Sequence, residues 1–299
     1  MTDNSQQVLA WKTHTISYNI GYDKLKDSKN WSSNFYFVVG ADPQLGYNTS
    51  FQDREPTDWQ EEMNRSITAV EKINALTPRP QFVVICGDLV NAMPNKEEKL
   101  NELQVKDFKK VYSKLHPSIS LVCVCGNHDV GDVPDKQSIT KYRSEFGHDY
   151  FSFWCGGVLF LVLNSQYYKM NKVEEMAKEQ EQWLKEQLTK HKGQRIILFQ
   201  HIPWFLKDIN EEDQYFNINK QLRKEMIEKF FEAGVTHIFY GHCHRNYRVF
   251  YKDLEMITTN AIGNPLGNEP PGLRIVKVYQ NNMTHTYFPF EKLPSFVNV

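Results

Sequence analysis

The chain has no run of apolar residues long enough to cross a bilayer. Its longest such stretch, Val158 to Leu163, falls far short of the roughly 20 residues a spanning helix needs and suits a buried strand. The opening residues, Met1-Thr2-Asp3-Asn4-Ser5, have neither the basic patch nor the apolar centre of a secretory signal. The expectation is therefore a cytoplasmic protein with no membrane partner. The net charge of -1 gives no global electrostatic argument for nucleic acid, and none is expected as a partner. Cysteine is scarce: Cys86, Cys123, Cys125, Cys155 and Cys243 make an odd set of five, four of them in or beside strand-like runs. That is the usage of small buried residues in a reducing compartment, not of a disulfide framework. In such a compartment the sequons at Asn30, Asn48, Asn64 and Asn282 carry little weight. There is no internal repeat, no low-complexity tract and no boundary linker. Residues 34–299 are thus expected to form a single domain, preceded by a polar, weakly patterned extension or edge strands over 1–33.

What the chain does have is a regular alternation of strand and helix patterns. Apolar runs at Phe35–Val39, Phe82–Cys86, Leu121–Cys125, Ile196–Phe199 and Ile238–Tyr240 read as buried strands. Between them, amphipathic spacing predicts helices over Pro56–Leu76, Leu103–Leu115, Glu174–His191 and Leu222–Ala233, the last ended by Gly234. Tyr150–Cys155 and Val158–Leu163 flank Gly156-Gly157, the pattern of a tight hairpin. Strand-like pieces at Asn246–Phe250, Leu254–Thr259, Leu273–Tyr279 and Thr284–Phe288 close the chain. Early alternation followed by consecutive strands predicts an α/β fold of two packed sheets with helices outside.

Each of the five early strands is followed at once by residues that bind metals. These are Asp42-Pro43-Gln44, Gly87-Asp88, Gly126-Asn127-His128-Asp129, Gln200-His201 and Gly241-His242-Cys243-His244. Ligands gather at the carboxyl ends of strands in open α/β sheets. Two divalent ions about 3.5–4 Å apart can hold the attacking and leaving oxygens of a phosphoryl transfer. Such ions repel, so an anionic bridge between them is favourable, and Asp88 is the expected bridge. Asp42, Gln44 and His244 would complete one site; Asn127, His201 and His242 the other. Gly241 is expected to turn the chain so that His242 and His244 reach different ions. Carboxylate, amide and imidazole without thiolate suit Mn, Fe or Zn. A metal-bridging hydroxide is the expected nucleophile. His128 is the expected general acid, or a donor to phosphoryl oxygens, and Asp129 a candidate to orient it.

These residue types also have ordinary uses. Asp and Asn cap turns after strands, and His201 alone would be a common loop histidine. Cys243 reads as filler, and the acidic run Asp208 to Asp213 as a solvated loop. The remaining histidines lack a matching context. It is the agreement of the whole set that carries the metal reading.

The five segments, in this order, resemble the signature of the calcineurin-like metallophosphoesterase superfamily: D-x-H, G-D, G-N-H-[DE], H and G-H-x-H. The resemblance implies a four-layer α/β/β/α sandwich of two mixed β-sheets flanked by helices, and a bimetal phosphoesterase centre. Gly40-Ala41-Asp42-Pro43-Gln44, Gly87 to Pro94, Tyr150 to Trp154 and Gly157 to Gln166 are similar to one branch, the calcineurin-like phosphoesterase domain-containing type. That branch implies a cytosolic serine/threonine phosphatase acting on a phosphorylated protein, a signalling kinase of the protein kinase B type. The first motif departs from the pattern by ending in Gln44, whose harder amide oxygen favours Mn²⁺. Where the best-known protein phosphatases of the superfamily read G-D-x-x-D-R-G, this chain has Asn91 and Ala92 in place of the Asp and Arg. The D-x-Q variant also resembles Mn-dependent ADP-ribose and CDP-alcohol diphosphatases, so a small phosphoester is the alternative substrate. A non-catalytic scaffold is the alternative of another class.

Overall fold

Strict alternation along the strands determines how the layers stack. In β1 (Phe35–Gly40), Phe37 and Val39 point to one face of the sheet, and Tyr36 and Val38 to the other. In β5 (Val158–Val162), Val158, Phe160 and Val162 share one core with Phe37, while Leu159 and Leu161 belong to another. Both sheets thus have two apolar faces, and each needs cover on both sides.

The structure is a computed structural model describing residues 29–48, 57–170 and 172–299. One sheet has five strands in the order β11-β10-β1-β2-β3, with β2 (Phe82–Cys86), β3 (Ser120–Val124), β10 (Gly272–Val278) and β11 (Met283–Pro289) beside β1. The other has six, in the order β4-β5-β6-β7-β9-β8. It contains β4 (Phe151–Cys155), β5, β6 (Ile196–Phe199), β7 (Val235–Tyr240), β8 (Tyr247–Tyr251) and β9 (Leu254–Thr258). In the first sheet β1, β2 and β3 run parallel, β10 is antiparallel to β1, and β11 is antiparallel to β10; in the second β5, β6, β7 and β9 run parallel and β4 and β8 antiparallel to them.

Phenylalanines fill the space between the sheets. Phe37 stacks on Phe82 at 4.7 Å and meets the ring edges of Phe160, Phe199 and Phe239 from the opposite sheet at 5.5–6.0 Å. These are the separations that aromatic quadrupoles favour. Helices α1 (Gln60–Ala75), α2 (Glu98–Tyr112) and α4 (Lys136–Phe146) cover the outer face of the five-stranded sheet. Helices α6 (Glu174–Lys190) and α7 (Lys220–Ala233) cover the six-stranded one. The fold is therefore the α/β/β/α sandwich expected from the sequence.

Helices α1, α6 and α7 lie within a few residues of their predicted spans, and Gly234 caps α7 in the left-handed conformation (φ 89°). The hairpin is also present: Gly156 and Gly157 both have positive φ, 52° and 77°, between β4 and β5. Helix α2 begins five residues before its predicted start, at Glu98. Two one-turn helices, α3 (Asn127–Val130) and α5 (Gln166–Lys169), are too short to show a periodicity. The expected extension over residues 1–33 lies almost wholly outside the described residues. Of its end, Trp31 packs against Phe35, ring centroids 6.2 Å apart. No helix among the described residues is long and apolar enough to cross a membrane.

Candidate metal centre

The five ligand-bearing loops leave neighbouring strand ends of both sheets and converge. Asp42 N donates to Gly87 O at 3.1 Å and Gln44 N to Asp88 O at 2.9 Å, so the loops after β1 and β2 are laced together. Across the sheets, Asp42 takes the His242 N–H on both carboxylate oxygens, 3.0 Å each. Gly87 and Gly241 permit this closeness. A Cβ on Gly87, itself at φ 84°, would lie 2.4 Å from His201 Nδ1, and one on Gly241 would lie 2.4 Å from Cys86 O.

Backbone strain is concentrated in the same place. Six non-glycine residues among those described have positive φ, and five of them are Asp42, Gln44, Asp88, His242 and His244 (φ 37–70°). The sixth, Lys252, occupies the β8–β9 turn. Left-handed conformations of this kind are costly for L-residues and persist where surrounding contacts over-determine them. This corrects one expectation: the reversal that separates His242 from His244 occurs at the histidines themselves (φ 70° and 48°). Gly241 contributes room for Cys86 O.

Asp88, His201 and His242 offer one ligand atom each, all within 4.8 Å of one another. His201 Nε2 is at the centre: Asn127 Oδ1 lies 3.1 Å away, Asp88 Oδ2 3.2 Å and His242 Nδ1 3.2 Å. Beside this group, His244 Nε2 stands 3.6 Å from Asp42 Oδ1, which is itself 3.9 Å from His201 Nδ1. Gln44 is buried, its Nε2 donates to Asn91 Oδ1 at 3.2 Å, and its Oε1 has no hydrogen-bond partner. All seven predicted ligand residues are buried and brought to this one region.

The donor set fits divalent cations, on an observation independent of any motif. Each of the three histidines donates one ring N–H to a main-chain carbonyl: His201 Nδ1 to Cys86 O (2.8 Å), His242 Nε2 to Tyr215 O (3.3 Å) and His244 Nδ1 to Asn264 O (2.6 Å). A carbonyl can only accept, so a proton is held at that nitrogen, and in the neutral ring it is the other nitrogen that keeps its lone pair. The second nitrogens point inward: His201 Nε2 to Asn127 Oδ1 and Asp88 Oδ2, His242 Nδ1 to His201 Nε2, and His244 Nε2 to Asp42 Oδ1. Metal-binding histidines are characteristically oriented this way, and the partnerless Gln44 Oε1 is a further donor without a proton to satisfy it.

The charges follow the same geometry. Burial opposes charge on His201, but Asp88 and Asp42 hold its imidazole up at about 9. Burial also opposes charge on Asp88, yet His201 and His128 hold its carboxyl below the usual carboxylate range. Burial, with Asp88 as a neighbour, raises Asp42 well above that range and Asp129 to about 8. Burial presses His242 well below its ordinary value and His244 to about 4. These two imidazoles are thus neutral, the state in which they can bind a metal, whereas His201 must release a proton to do so.

His128 stands at the cavity wall. Its N–H donates to Asp88 Oδ1 at 2.9 Å and its ring Nδ1 lies 2.5 Å from Asn91 O. Asp129 does not orient it. That carboxylate accepts main-chain N–H groups from Gly126 (2.7 Å), Leu89 (2.9 Å) and Val90 (3.4 Å), tying the second and third loops together. Cys243 is a free buried thiol pushed up by burial and Asp42, inert filler as expected.

A cavity of about 400 Å³ opens over the centre, lined by Gln44, Asp88, His128, His242 and His244 together with Tyr47, Lys96, Tyr215 and Phe216. The Tyr47 ring lies tilted against that of His244 (centroids 4.9 Å, interplanar 44°). Asn164, Phe205 and Arg245 do not line it. Asn164 is committed to Asp149 and Gln180, Phe205 to the core under α7, and Arg245 to Leu266 O. Lys96, Tyr215 and Phe216 carry no sequence signal that would have singled them out.

Fold and donor set together define a phosphoesterase of the binuclear-metal type, a hydrolase of phosphate esters. The chain belongs to the calcineurin-like phosphoesterase family, whose model matches residues 57–246. It is 44% identical over 274 residues to "Serine/threonine-protein phosphatase CPPED1" of Bos taurus, covering 89% of this chain and 87% of that protein. The Homo sapiens protein of the same name is 43% identical, with 88% and 86% covered. Among solved structures, a dimetal phosphatase from Danio rerio superposes with a TM-score of 0.63 at 14% identity, covering 87% of this chain and 97% of its own. A purple acid phosphatase from yellow lupin seeds gives 0.59 at 12% identity, covering 90% and 54%. At such identities these two show likeness of fold.

Proposed function

We propose that this chain is a metal-dependent serine/threonine protein phosphatase, with residues 34–299 acting as one catalytic domain. Asp42, Gln44, Asp88 and His244 would hold one divalent cation, and Asp88, Asn127, His201 and His242 a second. When bound, two such cations lower the pKa of water and neutralise charge on the phosphoryl group. The rest falls to the protein. Asp88 presents one oxygen to the His128 N–H and the other to the cluster around His201. With Nδ1–H held by Asn91 O, the proton that His128 can give to a leaving oxygen is the one on Nε2. Among the described residues Lys96, which also lies 3.5 Å from Asp132 Oδ2, is the one Lys or Arg lining the cavity and would supply positive charge for an anionic substrate.

The observation that carries this reading is the convergence of Asp88, His201 and His242, one ligand atom each within 4.8 Å, with each imidazole held by a main-chain carbonyl behind it. The curated relatives named as serine/threonine phosphatases support phosphorylated protein as the substrate class. By the resemblance of its branch, a signalling kinase of the protein kinase B type is the first substrate to try. The amide donor Gln44 supports Mn as the metal, and five free buried thiols support a cytoplasmic location. A panel of phosphoserine peptide, ADP-ribose and bis-aryl phosphate with Mn²⁺ tests the reading. Preferential hydrolysis of the phosphopeptide is expected; hydrolysis of ADP-ribose alone would move the chain to the diphosphatases, and hydrolysis of none would favour a scaffold.

A further inference from the structure

Tyr215 is a large aromatic residue that remains 53% exposed although it lines the cavity over the metal centre. It stands on the long loop between β6 and α7, and that loop is held unusually firmly. The buried guanidinium of Arg223 donates to the main-chain carbonyls of Ile209, Glu211 and Ile218 at 2.7–3.1 Å. Lys169 Nζ donates to Gln214 O and Asn217 O, 2.6 Å each, from either side of Tyr215. Glu211, within the acidic run read from sequence as a solvated loop, accepts N–H groups from Leu206 and Lys207 at 2.9 and 2.8 Å. The backbone that presents Tyr215 is therefore fixed before any ligand arrives, which lowers the entropic cost of binding.

Three contacts join Tyr215 to the centre. Its main-chain carbonyl accepts from His242 Nε2 at 3.3 Å, its ring lies 4.9 Å from the His242 ring, and its hydroxyl oxygen accepts from Asn127 Nδ2 at 3.1 Å. The other Asn127 N–H goes to Asp132 Oδ1 at 2.9 Å, so the amide is locked with Oδ1 beside His201 Nε2. The phenol oxygen thus stands one amide group away from the converging ligand atoms. A phenol has one hydrogen to donate as well as lone pairs to accept with. Asn127 occupies a lone pair, and the described residues offer the hydrogen no acceptor.

We propose that Tyr215 is a phosphoryl-binding residue, its O–H donating to a non-bridging oxygen of the phosphate group in the cavity. This role rests on the phosphatase reading above and adds a neutral donor to the cation Lys96 at a site whose motif has Ala92 where relatives of the superfamily have Arg. The Tyr215→Phe variant removes the hydroxyl and keeps the ring and the carbonyl on His242. Calorimetric titration of inorganic phosphate into Mn-loaded protein, with elemental analysis and the unfolding midpoint measured alongside, separates the possible outcomes. Y215F is expected to bind phosphate about 10-fold more weakly, the size of a hydrogen bond to a charged group, and to raise KM for a phosphopeptide similarly. Its metal content and unfolding midpoint are expected to match wild type. Phosphate affinity within 2-fold of wild type overturns the proposal, as does metal loss that accounts for weaker phosphate binding, because the hydroxyl would then only position Asn127. If the wild type itself takes up no metal and hydrolyses no phosphoester, it is the phosphatase reading that fails.

Discussion

His128 Nδ1 meets the main-chain carbonyl of Asn91 at 2.5 Å, so the support for the candidate acid comes from backbone. In the G-D-x-x-D-R-G pattern a carboxylate stands at this position. Here the same residue supports His128 through an atom that no side-chain substitution removes. The carbonyl accepts from Nδ1–H and leaves Nε2 to carry the transferable proton.

Asn91→Ala should therefore leave His128 supported and lower kcat by less than about 10-fold at saturating metal. Its main loss is the Gln44 Nε2 contact with Asn91 Oδ1, 3.2 Å in length. His128→Asn should lower kcat by about 10²–10⁴-fold, the usual worth of a general acid, without altering metal content. Steady-state kinetics on both variants decide the matter. An N91A defect as deep as that of H128N would show that the side chain, not the carbonyl, sustains the acid.

Gln44 offers a buried amide oxygen with no hydrogen-bond partner, a harder donor than the imidazole usual at the end of the first motif. Replacing it with His should shift activation from Mn²⁺ towards Zn²⁺ or Fe²⁺. Activity profiles across these ions for wild type and Q44H test this, and superimposable profiles would reject it.

Away from the centre, Glu255 of β9 joins the two sheets by accepting from His285 Nε2 of β11 at 2.8 Å, with His237 at 3.5 Å and Arg248 also against it. Burial would raise its carboxyl, but His237, His285 and Arg248 together hold it below the ordinary value. A depressed folded-state pKa contributes stability above the unfolded-state value of roughly 4.5, and that stability is lost as pH falls through the folded-state value. Glu255→Gln should cost about 1–3 kcal/mol at pH 7, with the gap to wild type narrowing below about pH 4.5. Urea unfolding at pH 7 and pH 3.5 measures it; a gap that does not change with pH would contradict the assignment.

Much of this was legible in the sequence because the informative signals were local. Continuous apolar runs such as Phe35–Val39 and Val158–Leu163 marked strands buried on both faces, and each ligand segment followed a strand directly. Helix α4 was legible but unread: Asp135 caps it through Ser138 N at 2.8 Å, and Ile139, Tyr142 and Phe146 space its buried face. Other features were not local. Whether Asp129 faces His128 or the loop amides depends on how two loops pack, 40 residues apart in the chain. Tyr215 reaches the cavity because Arg223 and Lys169 hold its loop, an arrangement with no sequence period or motif. The left-handed backbone at Asp42, Asp88 and His244 likewise depends on contacts between loops; Asp and His adopt it more readily than most residues, but no local pattern marks these positions.

In the proposed centre Asp88 would join two cations within one cage of side chains. Elemental analysis of protein reconstituted with Mn²⁺ and freed of excess metal tests it most directly, on wild type and Asp88→Asn side by side. About two ions per chain are expected for wild type, and a fall in both bound metal and phosphoester hydrolysis for D88N. One ion or none per wild-type chain, or full hydrolysis by D88N, would contradict it.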